Sequence, residues 1–212
     1  MPVWRRGIRS GATSAAGTLR IGILAFHGDV SEHADAIRAA AAKMGRPVVI
    51  TMVRRRADIA GLDGLIIPGG ESTTIYKLCV REGMIGDLRQ VKSIFGTCAG
   101  AIMLARDLAG AAEDQATLGL MDITADRNAY GRQSESFQTK IDTEIGTLEA
   151  AFIRAPKLTR TGPGVKVLAR FKGEVIACEE VRDTGYYLAL TFHPELTTTL
   201  LHEHFLARIF LG

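Results

Sequence analysis

Apolar and polar positions along the first half of the chain form blocks that predict strands and helices in turn. Short apolar runs, which are typical of buried strands, lie at residues 20–26, 47–53, 65–67 and 93–95. Helical spacing predicts helices at residues 31–44, 73–81 and 99–108, the first capped by Asp29 or Ser31 and ended by Gly45. This alternation favours an α/β fold in which helices flank a mostly parallel sheet.

The pattern changes from about Leu118 onwards. Strand-like segments, joined by polar and glycine-rich turns, lie around Leu120 and at residues 137–141, 151–153, 165–171 and 175–179. They predict an antiparallel extension of the same domain. Residues 186–192 return to an apolar strand, and residues 197–211 predict a closing helix.

The closing helix carries a core-facing stripe, because Leu201, Phe205 and Ile209 recur every four residues. His202 and His204 lie two apart in the same helix and therefore point in different directions. This spacing argues against a metal site there, and no metal ligands are predicted elsewhere.

The composition argues against several classes of protein. The chain has 212 residues, of which 47% are hydrophobic and 23% charged, as in an ordinary globular protein. A net charge of +3 is too small to indicate a nucleic-acid binder, and the basic run Arg54–Arg56 is expected at a solvated edge or loop. No apolar run approaches the roughly 20 residues that span a bilayer, so no membrane association is expected.

The first 19 residues differ from the rest. They contain Arg5, Arg6 and Arg9 and no acidic residue, as a transit peptide would, but the segment is short and has no clear amphipathic helix. A disordered leader or a misassigned start codon explains it equally well. We expect a disordered leader at residues 1–19 and a single domain at residues 20–212.

The three cysteines, Cys79, Cys98 and Cys178, are odd in number and have no paired spacing. They indicate neither a disulfide framework nor a metal knuckle. Free thiols fit a reducing compartment, and we expect the protein in the cytoplasm.

Cys98 lies in Gly96-Thr97-Cys98-Ala99-Gly100, between a predicted strand and a predicted helix. This frame is typical of a nucleophile elbow, in which the glycines prevent crowding of a strained turn. A buried cysteine is more often an inert hydrophobe, so the frame alone does not decide. Far downstream, His193 and Glu195 share one face of an extended segment. Together the three side chains form a nucleophile, a base and a group that orients the base.

Three loops are expected to open at one edge of the sheet, after Ile67, after Phe95 and after Phe192, because ligands gather at the carboxyl ends of parallel strands. Thiolate attack on a carbonyl creates an oxyanion that needs N–H donors. The backbone N–H of Ala99 is the natural first donor. Gly69 and Gly70 suit the second, since glycine lets the backbone approach a ligand closely.

The segments Pro68–Thr74, Gly96–Gly100 and Phe192–Thr197 resemble the class I, triad-type glutamine amidotransferases, which have a flavodoxin-like fold. Two further stretches, Arg127–Gln133 and Phe152–Pro156, are similar to a narrower group. That group is the PdxT family, the glutaminase subunit of pyridoxal 5′-phosphate synthase. The resemblance runs from about Arg20 to the C-terminus.

The resemblance implies that Cys98, His193 and Glu195 are the catalytic triad and that the substrate is L-glutamine. It implies a glutamine site made by Gly70, Glu71, Ser72, Arg127, Ile153 and Arg154. Hydrolysis through a cysteine thioester would give glutamate and ammonia. The ammonia would pass to a pyridoxal 5′-phosphate synthase subunit in a hetero-oligomer. The chain would carry no cofactor of its own.

One position departs from the family pattern, since most members have glutamine where this chain has His27. In the family that side chain is associated with the oxyanion region and the synthase contact, so partner fit or activation could differ here. Three alternatives stay open. They are a glutaminase of another pathway, against which the Phe152–Pro156 stretch argues, a stand-alone cysteine hydrolase of related fold, and a binding module that has lost catalysis.

Overall fold

The computed structural model describes residues 17–110, 116–127 and 136–211. Within these ranges one ten-stranded sheet carries helices on both faces, and a separate hairpin packs beside it. The strands of the first half are β1 (Leu19–Leu24), β2 (Val48–Val53), β3 (Gly64–Ile67) and β4 (Ser93–Thr97). The helices are α1 (Val30–Lys43), α2 (Ser72–Arg81), α3 (Ile85–Leu88), α4 (Ala99–Leu104) and α5 (Leu200–Leu211).

The second half supplies the remaining strands. They are β5 (Ala105–Leu108), β6 (Met121–Asp126), β7 (Phe137–Thr143), β8 (Gly146–Phe152), β9 (Lys157–Thr161), β10 (Val165–Phe171), β11 (Glu174–Arg182) and β12 (Gly185–Leu190). Short 3₁₀ helices occupy Arg56–Ile59 and Pro194–Leu196. None of the helices in the described ranges has the length and apolar character needed to cross a membrane.

The sheet has a parallel half and a largely antiparallel half. Its order is β2-β1-β3-β4-β12-β11-β9-β6-β5, with β10 paired to β11. Strands β2, β1, β3, β4 and β12 run parallel, whereas β12–β11, β11–β9, β11–β10 and β9–β6 are antiparallel pairs. The predicted α/β architecture with an antiparallel extension is therefore confirmed.

The core lies on both faces of the sheet because successive strand residues point in opposite directions. In β3, Leu65 and Ile67 pack with the side chains of α2 and α4, while Ile66 packs with those of α1 and α5. All three are fully buried. Burial of each such side chain stabilises the fold by about 1.5–3 kcal/mol. The predicted stripe on α5 is confirmed for Leu201 and Phe205, both fully buried.

Two element predictions were wrong. The helix expected at residues 99–108 ends at Leu104, because Ala105 turns to extended dihedrals and residues 105–108 pair with β6 as a strand. The closing helix begins at Leu200 instead of residue 197, because Pro194–Leu196 form a 3₁₀ turn and the Thr198 hydroxyl accepts the Leu200 N–H. Strand β9 was not predicted.

Some expectations fall wholly or partly outside the described residues. The undescribed residues include 1–16 of the expected leader, which therefore stays a prediction. They also include most of the Arg127–Gln133 stretch. The first strand begins at Leu19. Arg54–Arg56 are exposed, as expected, and Arg56 pairs with Asp87 at 2.6 Å.

A buried carboxylate ties α5 to the sheet. Glu179 of β11 accepts hydrogen bonds from Tyr186 Oη (2.9 Å), His204 Nε2 (2.7 Å) and an Arg208 guanidinium nitrogen (2.5 Å). Burial alone would raise the pKa of Glu179, but the hydrogen bonds from His204, Arg208 and Tyr186 lower it to about 2.

We therefore expect Glu179→Gln to lower the free energy of unfolding by about 2 kcal/mol at neutral pH. The folded-state pKa lies below the ordinary value of 4.5, so this contribution is present above pH 4.5 and is lost as the pH falls towards 2. Urea unfolding followed by circular dichroism between pH 3 and 7 measures it, with exposed Glu149→Gln as control. A constant difference between wild type and Glu179→Gln across that range would contradict the prediction.

Candidate active site

Cys98 occupies a strained turn between β4 and α4. Its φ is +50° and its ψ is −105°, a conformation that non-glycine residues rarely adopt. The Cys98 N–H donates to the Leu190 carbonyl (2.8 Å), and the Cys98 carbonyl accepts from the Ala101 N–H (3.1 Å). Such strain persists where the surrounding structure fixes it, and it gathers at functional sites.

The two flanking glycines let the helix lie directly against the sheet. A Cβ on Gly100 would lie 1.9 Å from the Ile67 carbonyl oxygen, and a Cβ on Gly96 would lie 2.4 Å from the Gly100 carbonyl carbon. Real Cβ atoms do not make such contacts. The expectation that side chains would crowd the turn is therefore confirmed.

The structure brings together the three residues of the predicted triad. His193 Nδ1 lies 2.7 Å from Glu195 Oε1, and the Cys98 side chain is close enough to the ring to raise the pKa of His193. Cys98 Sγ additionally faces the Ile153 carbonyl oxygen at 3.8 Å. The order is sulfur, imidazole, carboxylate. The catalytic roles of the three stay predictions.

The electrostatics of this set favour a charged imidazole beside the sulfur. Burial alone would lower the pKa of His193, but hydrogen bonds to Cys98 and Glu195 raise it to about 10. Burial raises the pKa of Glu195, and the bond to His193 opposes that shift. Burial also raises the pKa values of Cys79 and Cys178 to about 12, so those two thiols stay protonated at neutral pH.

A cavity of about 400 Å³ opens in front of Cys98 and His193. All six residues of the predicted glutamine site line it: Gly70, Glu71, Ser72, Arg127, Ile153 and Arg154. Residues that the sequence did not assign to substrate also line it: His27, Gly28, Asp29, Ile102 and Pro156. The volume of the cavity, and its lining of charged, polar and apolar residues, suit a small polar ligand.

Two opposite charges in this cavity pair with each other. Arg127 donates to Glu71 Oε1 (3.0 Å) and to the Thr73 hydroxyl (2.5 Å). Glu71 also caps α2, because its carboxylate accepts the Thr73 and Thr74 N–H groups. Burial opposes ionisation of Glu71, but these bonds and Arg127 lower its pKa. The wall therefore offers one fixed negative and one fixed positive group.

The glycine-rich loop after β3 lies against the catalytic imidazole. A Cβ on Gly69 would lie 2.4 Å from His193 Cε1, and a Cβ on Gly70, whose φ is +126°, would lie 2.4 Å from His27 Nδ1. Only glycine fits at these two positions. His27 therefore lies directly on the loop that was predicted, together with the Ala99 N–H, to bind the oxyanion.

Asp29 was missed as a site residue. Asp29 or Ser31 was expected to cap α1, and Asp29 is the N-cap residue, but its side chain makes no capping hydrogen bond. Its Oδ2 instead lies 3.2 Å from His193 Nδ1, so His193 faces two carboxylates. The donor atoms of Asp29, His193 and Glu195 all lie within 4.8 Å of one another. The 2.7 Å contact between His193 and Glu195 is a hydrogen bond that already uses His193 Nδ1, the ring atom that a cation between these groups would need.

We expect Gly100→Ala to destabilise the protein by about 1–3 kcal/mol or more, because the new methyl group must push α4 away from the Ile67 carbonyl. Gly86→Ala is the matched control, since a Cβ on Gly86 meets nothing within 4 Å. That change should stabilise by about 0.4–1 kcal/mol. Thermal unfolding of the two variants measures both effects, and an unchanged midpoint for Gly100→Ala would contradict the packing argument.

Comparisons with known proteins agree with this geometry. The sequence matches the SNO glutamine amidotransferase family over residues 23–210. A Niallia circulans protein named pyridoxal 5′-phosphate synthase subunit PdxT is 46% identical over 198 residues, covering 90% of this chain and 98% of that protein. A Korarchaeum cryptofilum protein of the same name is 44% identical over 200 residues, covering 91% and 100%.

A solved structure gives the same result. The crystal structure described as glutamine amidotransferase superposes with a TM-score of 0.76 at 39% sequence identity, covering 89% of this chain and 98% of that one. The family match spans most of the chain, and the relatives are matched over nearly their whole length. The chain therefore belongs to the SNO glutamine amidotransferase family.

Proposed function

We propose that this protein is the glutaminase subunit of a pyridoxal 5′-phosphate synthase. It hydrolyses L-glutamine to L-glutamate and ammonia and delivers the ammonia to a synthase subunit. The observation that carries the proposal is the convergence of Cys98, His193 and Glu195 on a cavity whose wall holds Glu71 and Arg127. The names of the relatives support the choice of pathway.

Catalysis begins with the Cys98 sulfur, whose proton is transferred to His193. Attack on the glutamine side-chain amide gives a tetrahedral oxyanion, which the N–H of Ala99 and the Gly69–Gly70 loop stabilise. His193 then protonates the leaving amine, and ammonia departs from a γ-glutamyl thioester. Water, deprotonated by His193, hydrolyses the thioester and frees glutamate.

Glutamine carries an ammonium and a carboxylate, and both need partners in a partly desolvated cavity. Glu71 and Arg127 supply the two signs. Because they pair with each other at 3.0 Å, glutamine binding exchanges one internal ion pair for two contacts with the ligand. The Gly70 and Ser72 backbone and the Ile153–Arg154 segment complete the proposed site.

The proposed partner is a pyridoxal 5′-phosphate synthase subunit in a hetero-oligomer in the cytoplasm. Free ammonia is protonated and lost to solvent at neutral pH, so its transfer requires a docked acceptor. His27, which lies on the Gly70 loop, is placed to couple docking to the oxyanion site. The chain needs no cofactor for this chemistry, and we assign the whole activity to one domain at residues 20–212.

We expect Cys98→Ala to abolish ammonia release from glutamine, measured with a coupled glutamate dehydrogenase assay in the presence and absence of the matching synthase subunit. Wild type should release more ammonia when the synthase is present. The control, Cys178→Ala, changes a thiol buried in β11 and should keep the wild-type rate. Normal ammonia release by Cys98→Ala would contradict the proposal. Ester hydrolysis that does not respond to the synthase subunit would instead favour a stand-alone hydrolase.

Arg127→Ala should raise KM for glutamine by about 10-fold or more, because loss of one charge-assisted contact removes roughly 1.5–3 kcal/mol of binding. Its kcat should change much less. The control is Arg38→Ala, whose guanidinium pairs with exposed Asp35 on α1. Steady-state kinetics with the synthase present measure both, and an unchanged KM for Arg127→Ala would exclude it from the glutamine site.

A further inference from the structure

Two fully buried histidines lie behind Glu195, on the side away from the cavity. His33 comes from α1 and His202 from α5, and both side chains have no exposed surface. His33 Nε2 lies 3.4 Å from Glu195 Oε2 and 3.1 Å from the Thr97 hydroxyl. His33 Nδ1 lies 3.0 Å from His202 Nε2. These contacts extend the line of polar groups from His193 through Glu195 into the core.

Both histidines are neutral at neutral pH. Burial, reinforced by the neighbouring rings of His202 and His193, holds the pKa of His33 well below its usual range. Burial lowers the pKa of His202 to about 3, although Glu203 and the Thr198 backbone act in the opposite direction. Each ring therefore carries a single proton, and only one proton lies between them.

The unsatisfied atoms decide where those protons are. Glu195 Oε2 and His202 Nδ1 are buried and make no hydrogen bond of good geometry. If His33 donated from Nδ1, its Nε2 lone pair would face the carboxylate, and the His202 Nδ1–H would have only the poorly aligned Thr198 carbonyl as an acceptor. If His202 Nε2 donates to His33 Nδ1, then His33 Nε2–H points at Glu195 and Thr97. The only atom of the two rings then left unpaired is the neutral Nδ1 lone pair of His202. This costs far less free energy than a buried carboxylate without a donor.

The Thr198 backbone favours the other arrangement. Its carbonyl lies close enough to stabilise a charged His202 ring. It does not form a hydrogen bond of acceptable geometry with His202 Nδ1. The contact of His33 with Glu195 is also long, at 3.4 Å, but catalytic hydrogen bonds are often long in unliganded sites and tighten with substrate. Leaving the buried Glu195 carboxylate without a donor costs more free energy than leaving the Thr198 carbonyl without one, because the carboxylate is charged and the carbonyl is neutral.

We propose that His33 is a positioning residue that holds Glu195 in place through its Nε2–H and that His202 fixes the tautomer of His33. The inference rests on the proposed glutaminase function, since it assigns a task to residues behind that site.

Positioning is needed because His193 Nδ1 has a choice of partner. Glu195 Oε1 lies at 2.7 Å and Asp29 Oδ2 at 3.2 Å, and Asp29 is partly exposed. A donor on Oε2 holds the Glu195 carboxylate against His193 and keeps it ionised, because hydrogen bonds to a carboxylate lower its pKa. Without that donor, the Glu195 carboxylate is free to rotate away from His193, and its hydrogen bond to the imidazolium weakens.

The first experiment reads the tautomer in the wild-type protein. Nitrogen-15 chemical shifts of the histidine rings distinguish Nε2–H from Nδ1–H. The proposal requires both His33 and His202 to carry their proton on Nε2 at pH 7. A proton on His33 Nδ1 would overturn it, and this test needs no variant to fold.

The second experiment measures kcat and KM with the synthase subunit present. His33→Leu should lower kcat by about 10- to 100-fold, the usual effect of losing a group that orients a functional histidine, with KM changed less than about 2-fold. His33→Gln, which keeps an N–H near the Nε2 position, should recover a large part of the loss. Ile37→Ala is the control, because Ile37 is fully buried on α1, one turn after His33, and does not line the cavity. A kcat for His33→Leu no lower than that of Ile37→Ala would overturn the proposal.

The third experiment separates this proposal from the proposed function. In a Cys98→Ala background, the His193 pKa is followed by NMR titration with and without His33→Leu. Loss of the donor should lower the His193 pKa by about 1 unit, the remaining charge of Asp29 limiting the fall. An unchanged His193 pKa contradicts the positioning role. If wild type releases no ammonia from glutamine, the function fails, while the titration still decides the role of His33.

Discussion

The direct contact between the start of α4 and the end of β3 is the constraint on which the site depends. Gly100 lies so close to the Ile67 carbonyl that no side chain fits between them, and Gly96 meets Gly100 in the same way. This contact holds Cys98 at φ +50° at the end of β4. A residue in that conformation projects its side chain out of the sheet edge, where a substrate can reach it.

The sheet order turns this local constraint into a site. Strands β3, β4 and β12 are neighbours and run parallel, so their carboxyl ends meet at one edge. The loop after β3 supplies the glycines, β4 leads into Cys98, and β12 leads to His193. A hydrogen bond from the Cys98 N–H to the Leu190 carbonyl joins two of these loops. Residues far apart in the chain are thereby held within bonding distance of one another.

Much of this could be predicted from the sequence, because local signals carry it. Glycine spacing around Cys98 and the shared face of His193 and Glu195 follow from backbone geometry, and strand–helix alternation follows from burial. The end of α4 at Leu104 could not be predicted, because residues 105–108 become a strand only by pairing with β6. Asp29 and the contact of His33 with His202 depend on how α1 packs against α5 and the site. No local pattern records that packing.

The central claim is that the Cys98 sulfur, activated by His193, carries the acyl group of glutamine. Rapid acid quenching of the enzyme with glutamine and the synthase subunit, followed by mass spectrometry of its peptides, tests this directly. The account predicts a γ-glutamyl thioester on the peptide that contains Cys98 and unmodified Cys79 and Cys178. Ammonia release at full rate with no adduct on Cys98, or with the adduct on another cysteine, would contradict it.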